Sequence, residues 1–170
     1  MSVDTDPFAL FDLPRRHAAS RDVIEQRYLE LSRAAHPDNV VGEGTAARRA
    51  AVERASAVNA AYRVLRDPVL RAEALVKLGG IDLDSTDPER GAPHPTQAFL
   101  LEMIDLRERL DDGGPDGVAA LRDDVEARCD AALDAAVDAL DAGEFRRAAE
   151  HLVARRYFQR FLDETDSSAP

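Results

Sequence analysis

The chain has 170 residues, a formal net charge of −11 and a single cysteine, Cys129. That length suits one large domain or two small ones. The lone cysteine excludes an internal disulfide framework and any all-cysteine metal or cluster site, and no apolar run approaches the roughly 20 residues needed to span a bilayer.

Alanine, arginine, aspartate and leucine dominate, and β-branched residues are few, which favours helix almost throughout. Acid is unevenly placed. Residues 1–80 carry 12 Lys+Arg and 11 Asp+Glu, whereas residues 81–170 carry 10 and 22. This split suggests two units with different partners. The plainer account is that acidic side chains keep a helical domain soluble. Either way, an acidic second half does not suit a nucleic-acid groove, which needs clustered cations to displace counterions. The start, "MSVDTDPFAL", lacks the basic beginning and apolar core of a signal peptide, so the cytosol is the expected compartment.

"PFALFDL", Pro7 to Leu13, predicts one or two helical turns ending at Pro14. Ser20 is placed to cap the next helix, with Asp22 in its first turn. Ile24, Tyr28, Leu31 and Ala35 form one apolar stripe at helical spacing. Pro37 cannot continue that helix and pushes His36 out of helical geometry, so the helix stops at about Ala35. Gly42 and Gly44 bracket a loop. A long helix then carries the stripe Ala51, Ala55, Val58, Tyr62 and Leu65, and two stripes joined by a short loop read as an antiparallel hairpin. Asp67-Pro68 reads as a cap followed by Pro at the first helical position, opening a third helix that ends at Gly79-Gly80.

Residues 79–95, rich in Gly and Pro, read as a linker. Thr96 is placed to cap a helix running to about Asp111, and "DGGPDG" breaks it. A long helix follows, with Val118, Leu121, Val125, Cys129, Leu133, Ala136 and Leu140 in one stripe. Gly143 ends it, and a last helix runs from about Glu144 to Asp163. Three helices with short connections read as an antiparallel bundle. On the first of them Phe99, Met103, Leu106 and Leu110 make the core stripe. Leu100, Leu101 and Ile104 fall well away from it and are either a second buried face or an exposed apolar patch, the latter a usual mark of a partner site.

A helix, a loop with His36-Pro37-Asp38 and an antiparallel helix resemble the J-domain, which stimulates heat-shock chaperone ATPases. With "FALFDLP" before it and "NAAYRVLRDPVLRAEALVKLGGIDL" and "FLLEMIDLRERLD" after it, the chain resembles the HscB family of J-type co-chaperones of iron–sulfur cluster assembly. The likeness runs from about Pro7 to Leu162. It implies an all-α fold in an L-shaped two-domain arrangement. The J-domain would occupy 1–78, the linker 79–95, a scaffold-binding three-helix bundle 96–166 and a frayed tail 167–170. It further implies that His36, Pro37 and Asp38 dock on a DnaK- or HscA-type chaperone, with Arg27 and Arg33 as basic contacts. Leu100, Leu101, Ile104, Asp105, Glu108 and Phe158 would bind an IscU-type scaffold protein.

Two departures stand out. The residue after the tripeptide is Asn39 where J-domains usually place lysine. The preceding helix also offsets Arg21, Arg27 and Arg33 with Asp22, Glu25 and Glu30, so electrostatic steering should be weaker than usual. Two other readings compete. One keeps the J-domain but gives it another client of a general DnaK-type chaperone. The other makes the chain an enzyme with His36 and Asp38 as an acid–base pair, although no third group orients them. No paired metal-ligand spacing links His17, His94 and His151, and no phosphate loop or nucleophile elbow is present, so no metal or cofactor is expected.

Overall fold

A computed structural model describes residues 6–40 and 44–167. Gly42 and the last three residues of the expected tail lie outside the described residues. The chain divides into two compact units, Met1–Leu78 and Gly79–Pro170. The described regular structure is helical, with one isolated β-bridge between Asp82 and Gly91.

The first unit begins with α1, Pro7–Leu10. Asp6 caps it, Oδ1 accepting from the backbone N–H of Phe8 at 2.9 Å and of Ala9 at 3.3 Å. The turn is short because Asp12 enters the left-handed region at φ 52°, and it exists to bury Phe8 and Phe11. Helix α2, Arg21–Ala34, follows, then a 3-10 turn at Pro37–Val40, α3 at Thr45–Arg66 and α4 at Pro68–Leu78. The two stripes meet as expected: Ile24 on α2 and Ala35 at its C-cap are buried, as are Ala51, Val58 and Leu65 on α3. Tyr28 and Tyr62 stack with ring centroids 4.0 Å apart, and the Tyr28 hydroxyl donates to Asn59 at 3.0 Å.

Two start signals worked differently from one another. Asp67 caps α4, accepting from Val69 N–H at 2.8 Å and Leu70 N–H at 3.0 Å, with Pro68 at the first position. Ser20 occupies the cap position of α2, yet its hydroxyl makes no capping bond; Asp22 in the first turn supports that end through the helix dipole instead. The loop before α2 is held by Arg71 of α4, whose guanidinium donates to the carbonyls of His17 at 2.8 Å and Ala19 at 3.1 Å. Arg71 is buried, and that desolvation lowers its pKa.

The second unit contains α5 at Gln97–Asp112, α6 at Pro115–Asp141 and α7 at Phe145–Ser167. Thr96 caps α5 by accepting from Phe99 N–H at 3.2 Å. The core joins Met103 and Leu106 of α5, Leu121, Val125 and Cys129 of α6, and Phe158, Phe161 and Leu162 of α7. Phe99 packs edge-on against Tyr157 and Phe158, with centroids 5.6 and 5.4 Å away. Ion pairs stitch the outside of the bundle: Arg107 to Glu164 at 2.8 Å, and Arg128 to both Glu102 and Asp124.

Residues 79–95, the expected linker, fold back on themselves as a strap. Asp82 N–H donates to the Arg90 carbonyl at 2.7 Å and Ala92 N–H to that of Ser85 at 3.1 Å, while Ile81 and Leu83 are buried. Arg156 of α7 holds the strap through the Leu83 carbonyl at 3.2 Å and the Asp84 carboxylate at 2.9 Å. Gly91 is required there: a Cβ would lie 2.3 Å from the Ser85 carbonyl oxygen and 2.4 Å from that of Asp87. Gly and Pro announce an irregular backbone, but they do not say whether that backbone packs. The last helix also runs past Asp163 to Ser167, into the expected tail.

Truncating the core at Leu106, which is 1 % exposed, should cost about 2–5 kcal/mol as Leu106→Ala, read from the denaturant midpoint. Burial pushes the Cys129 thiol above its ordinary pKa, so less thiolate forms at neutral pH. Cys129 should therefore resist alkylation in the native protein and react at an ordinary rate once the bundle is unfolded.

Candidate functional site

The first surface is the turn between α2 and α3. Pro37 has no N–H to extend α2, so the helix must end with its last carbonyls served by other donors. Ala35 N–H reaches the Leu31 carbonyl at 2.9 Å, and His36 N–H reaches Arg33 at 3.4 Å. The Asn39 side-chain amide supplies the rest, donating to the Arg33 carbonyl at 2.7 Å and lying 3.4 Å from that of Ala34. Asn39 N–H also donates to the His36 carbonyl at 3.0 Å.

This frame turns His36 and Asp38 outward, with side chains 58 % and 83 % exposed. Asp38 N–H donates to His36 Nδ1 at 3.3 Å, and Asp38 Oδ2 lies 3.5 Å from the same nitrogen. Nδ1 is thus the ring nitrogen turned to the Asp38 backbone and carboxylate, and Nε2 is the one Asp38 does not engage. Beside the loop lies an open depression of about 400 Å³ lined by Leu29, Ser32, Arg33, His36 and Asn39. The pair thus faces solvent and not an enclosed pocket, which suits presentation to a partner better than proton transfer.

The two basic contacts differ. Arg27 is engaged by Asp12 at 3.1 Å and by Glu30 at 3.2 Å, so its charge is largely compensated. Arg33 is exposed, lies next to His36 in the depression and makes no ion pair among the described residues.

The second surface is on α5. The core stripe of Met103 and Leu106 is buried, whereas Leu100, Leu101 and Ile104 are 42 %, 58 % and 52 % exposed. The exposed-patch alternative is the one observed. Asp105 and Glu108 are exposed beside the patch, Asp105 4.0 Å from Arg109. Phe158 departs from the expected set. It is 6 % exposed and sits in the bundle core against Phe99, because α7 turns that face toward α5. A surface contact by Phe158 is therefore not available; its ring supports α5 from beneath. Two residues at the first surface were not singled out as contacts. Leu29 is exposed on α2 as part of the depression, and Asn39 closes α2. Asn near a helix end is a signal for the second; an isolated Leu gives none for the first.

Among the described residues no group of three or more His, Cys, Asp or Glu is arranged to hold a metal, and no helix is long and apolar enough to cross a membrane. A family model described as the HSCB C-terminal oligomerisation domain matches residues 95–166. The co-chaperone protein HscB homolog of Bordetella pertussis is 32% identical over 170 residues, which cover 97% of this chain and 96% of the relative. This chain belongs to the HscB co-chaperone family. Solved HscB structures agree in fold. The chaperone HscB from Vibrio cholerae superposes with a TM-score of 0.75 at 27% identity, covering 96% of both chains. The human co-chaperone protein HscB gives a TM-score of 0.80 at 25% identity, covering 98% of this chain and 83% of its own. The all-helical architecture is thus that of HscB.

Proposed function

We propose that this HscB-family chain stimulates the ATPase of a DnaK- or HscA-type chaperone and delivers to it an IscU-type iron–sulfur scaffold protein. The observation that carries the reading is the pinned, solvent-facing pair His36 and Asp38 at the Pro37 turn. A fixed carboxylate pairs with a partner arginine through charge-assisted hydrogen bonds without first losing side-chain and loop freedom. The His36 ring adds Nε2, which Asp38 does not engage, as a further hydrogen-bonding group, and Arg33 adds a cation at the rim. Arg27 contributes less, since docking must first free it from Asp12 and Glu30. Stimulation arises because the loop favours one state of the partner, so the chemistry stays in the partner.

Leu100, Leu101 and Ile104 form the apolar centre of the scaffold surface, with Asp105 and Glu108 as its polar rim. Phe158 acts on this surface only through Phe99 and the seating of α5. A second reading of the same patch is pairing with another copy of the chain, which the oligomerisation wording of the matching family model favours. The compartment consistent with the co-chaperone role is the cytoplasm.

A steady-state assay with chaperone and scaffold tests the first surface. His36→Gln should lose most of the stimulation while melting like wild type; equal stimulation by the variant would sink the mechanism. With Arg27 compensated and Asn39 uncharged, stimulation should fall only gently between low and physiological salt.

For the second surface, Leu101→Ala combined with Ile104→Ala should weaken scaffold binding by about 10–100-fold in titration calorimetry, at about 1–3 kcal/mol for lost hot-spot contacts. Unaltered scaffold binding would favour a different client. A concentration-dependent dimer that Ile104→Asp abolishes would favour self-pairing.

A further inference from the structure

The sequence difference at Asn39 is the loss of a charge, but the geometry gives the residue a task. The carbonyls of Arg33 and Ala34 belong to the last turn of α2, where the regular helical donors four residues on run out; the Arg33 carbonyl takes a long bond from His36 N–H at 3.4 Å. Pro37 supplies no donor. Asn39 Nδ2 donates to Arg33 at 2.7 Å and lies 3.4 Å from Ala34. Its own backbone N–H closes the 3-10 turn onto His36 at 3.0 Å. One residue therefore ties the loop to the helix through both its side chain and its backbone. The Asp38 N–H that meets His36 Nδ1 at 3.3 Å lies between these two ties.

We infer that Asn39 is a positioning residue: its amide clamps the Pro37–Val40 turn to the end of α2 and thereby holds His36 as the Nε2–H tautomer with Asp38 facing outward. It touches no partner itself in this role. The inference rests on the chaperone-docking reading only for its consequence in the assay; the clamp is a property of the isolated protein.

Asn39→Asp keeps the shape of the side chain but replaces the donor with a carboxylate facing two carbonyls and the negative end of the helix dipole. Asn39→Lys keeps a donor at that position. Both are compared with wild type in the full chain. In isolation, long-range proton–nitrogen NMR reads the His36 tautomer. Wild type and Asn39→Lys should show predominantly Nε2–H, whereas Asn39→Asp should show a mixture. In the chaperone assay, Asn39→Asp should raise the half-maximal concentration about tenfold, the equivalent of one or two hydrogen bonds. Asn39→Lys should stay within about twofold of wild type or stimulate at lower concentration. An unchanged His36 spectrum in Asn39→Asp would overturn the clamp. A changed spectrum with undiminished stimulation would overturn its role in positioning the loop. If wild type itself fails to stimulate while the spectra shift as stated, the clamp stands and the docking reading falls.

Discussion

A helix that must stop leaves carbonyls behind, and the first unit is organised around the stop at Pro37. Proline ends α2 by removing a donor and by forcing His36 out of helical geometry. The open carbonyls then need donors from the loop, and the loop can supply them only by folding back. Asn39 does so from a 3-10 turn of four residues, Pro37–Val40. Because Asn39 ties the turn to α2 through its side chain and to His36 through its backbone, the side chains between these ties point in a defined direction. The same constraint that terminates the helix therefore also displays His36 and Asp38. Packing of α2 against α3, through Tyr28 on Tyr62 and the buried Ile24 and Val58, sets the two helices on which this turn is mounted.

The second unit depends on a different economy of surface. A helix in a three-helix bundle needs one apolar stripe, and α5 has one in Met103 and Leu106, flanked by Phe99 and Leu110. Leu100, Leu101 and Ile104 are extra to that need. Their exposure lowers solubility without adding to the core, which is why a binding role accounts for them better than folding does. The ion pairs of Arg107 with Glu164 and of Arg128 with Glu102 sit outside the core and tie α5 to α7 and α6, and Asp124 braces Arg128 from within α6. Exposed pairs of this kind add little stability each.

Several features were legible because a single residue type dictates them. Pro37 ends a helix wherever it stands, Asp67-Pro68 starts one, and Thr96 caps α5 with the expected bond to Phe99. Ser20 shows the limit of such signals. It holds the cap position without using its hydroxyl, since the preceding loop is secured by Arg71 from a helix some fifty residues later. The segment at 79–95 shows the same limit. Its Gly and Pro content described the local backbone correctly. The burial of Ile81 and Leu83, and the grip of Arg156, depend on residues from the far end of the unit.

The order of the helices, the loop at His36, and the stripe that α5 buries were determined by the sequence alone. Each follows from local sterics or from a periodicity that every segment carries with it. Whether the second apolar face of α5, with Leu100, Leu101 and Ile104, is covered or stays in water was decided only by the tertiary structure. So were the burial of Phe158, the pairing of Arg27 with Asp12 and the contact of Asn39 with the carbonyls of α2. These depend on where another segment comes to rest. A side chain's exposure is a property of its neighbours in space, and no spacing along one helix records them.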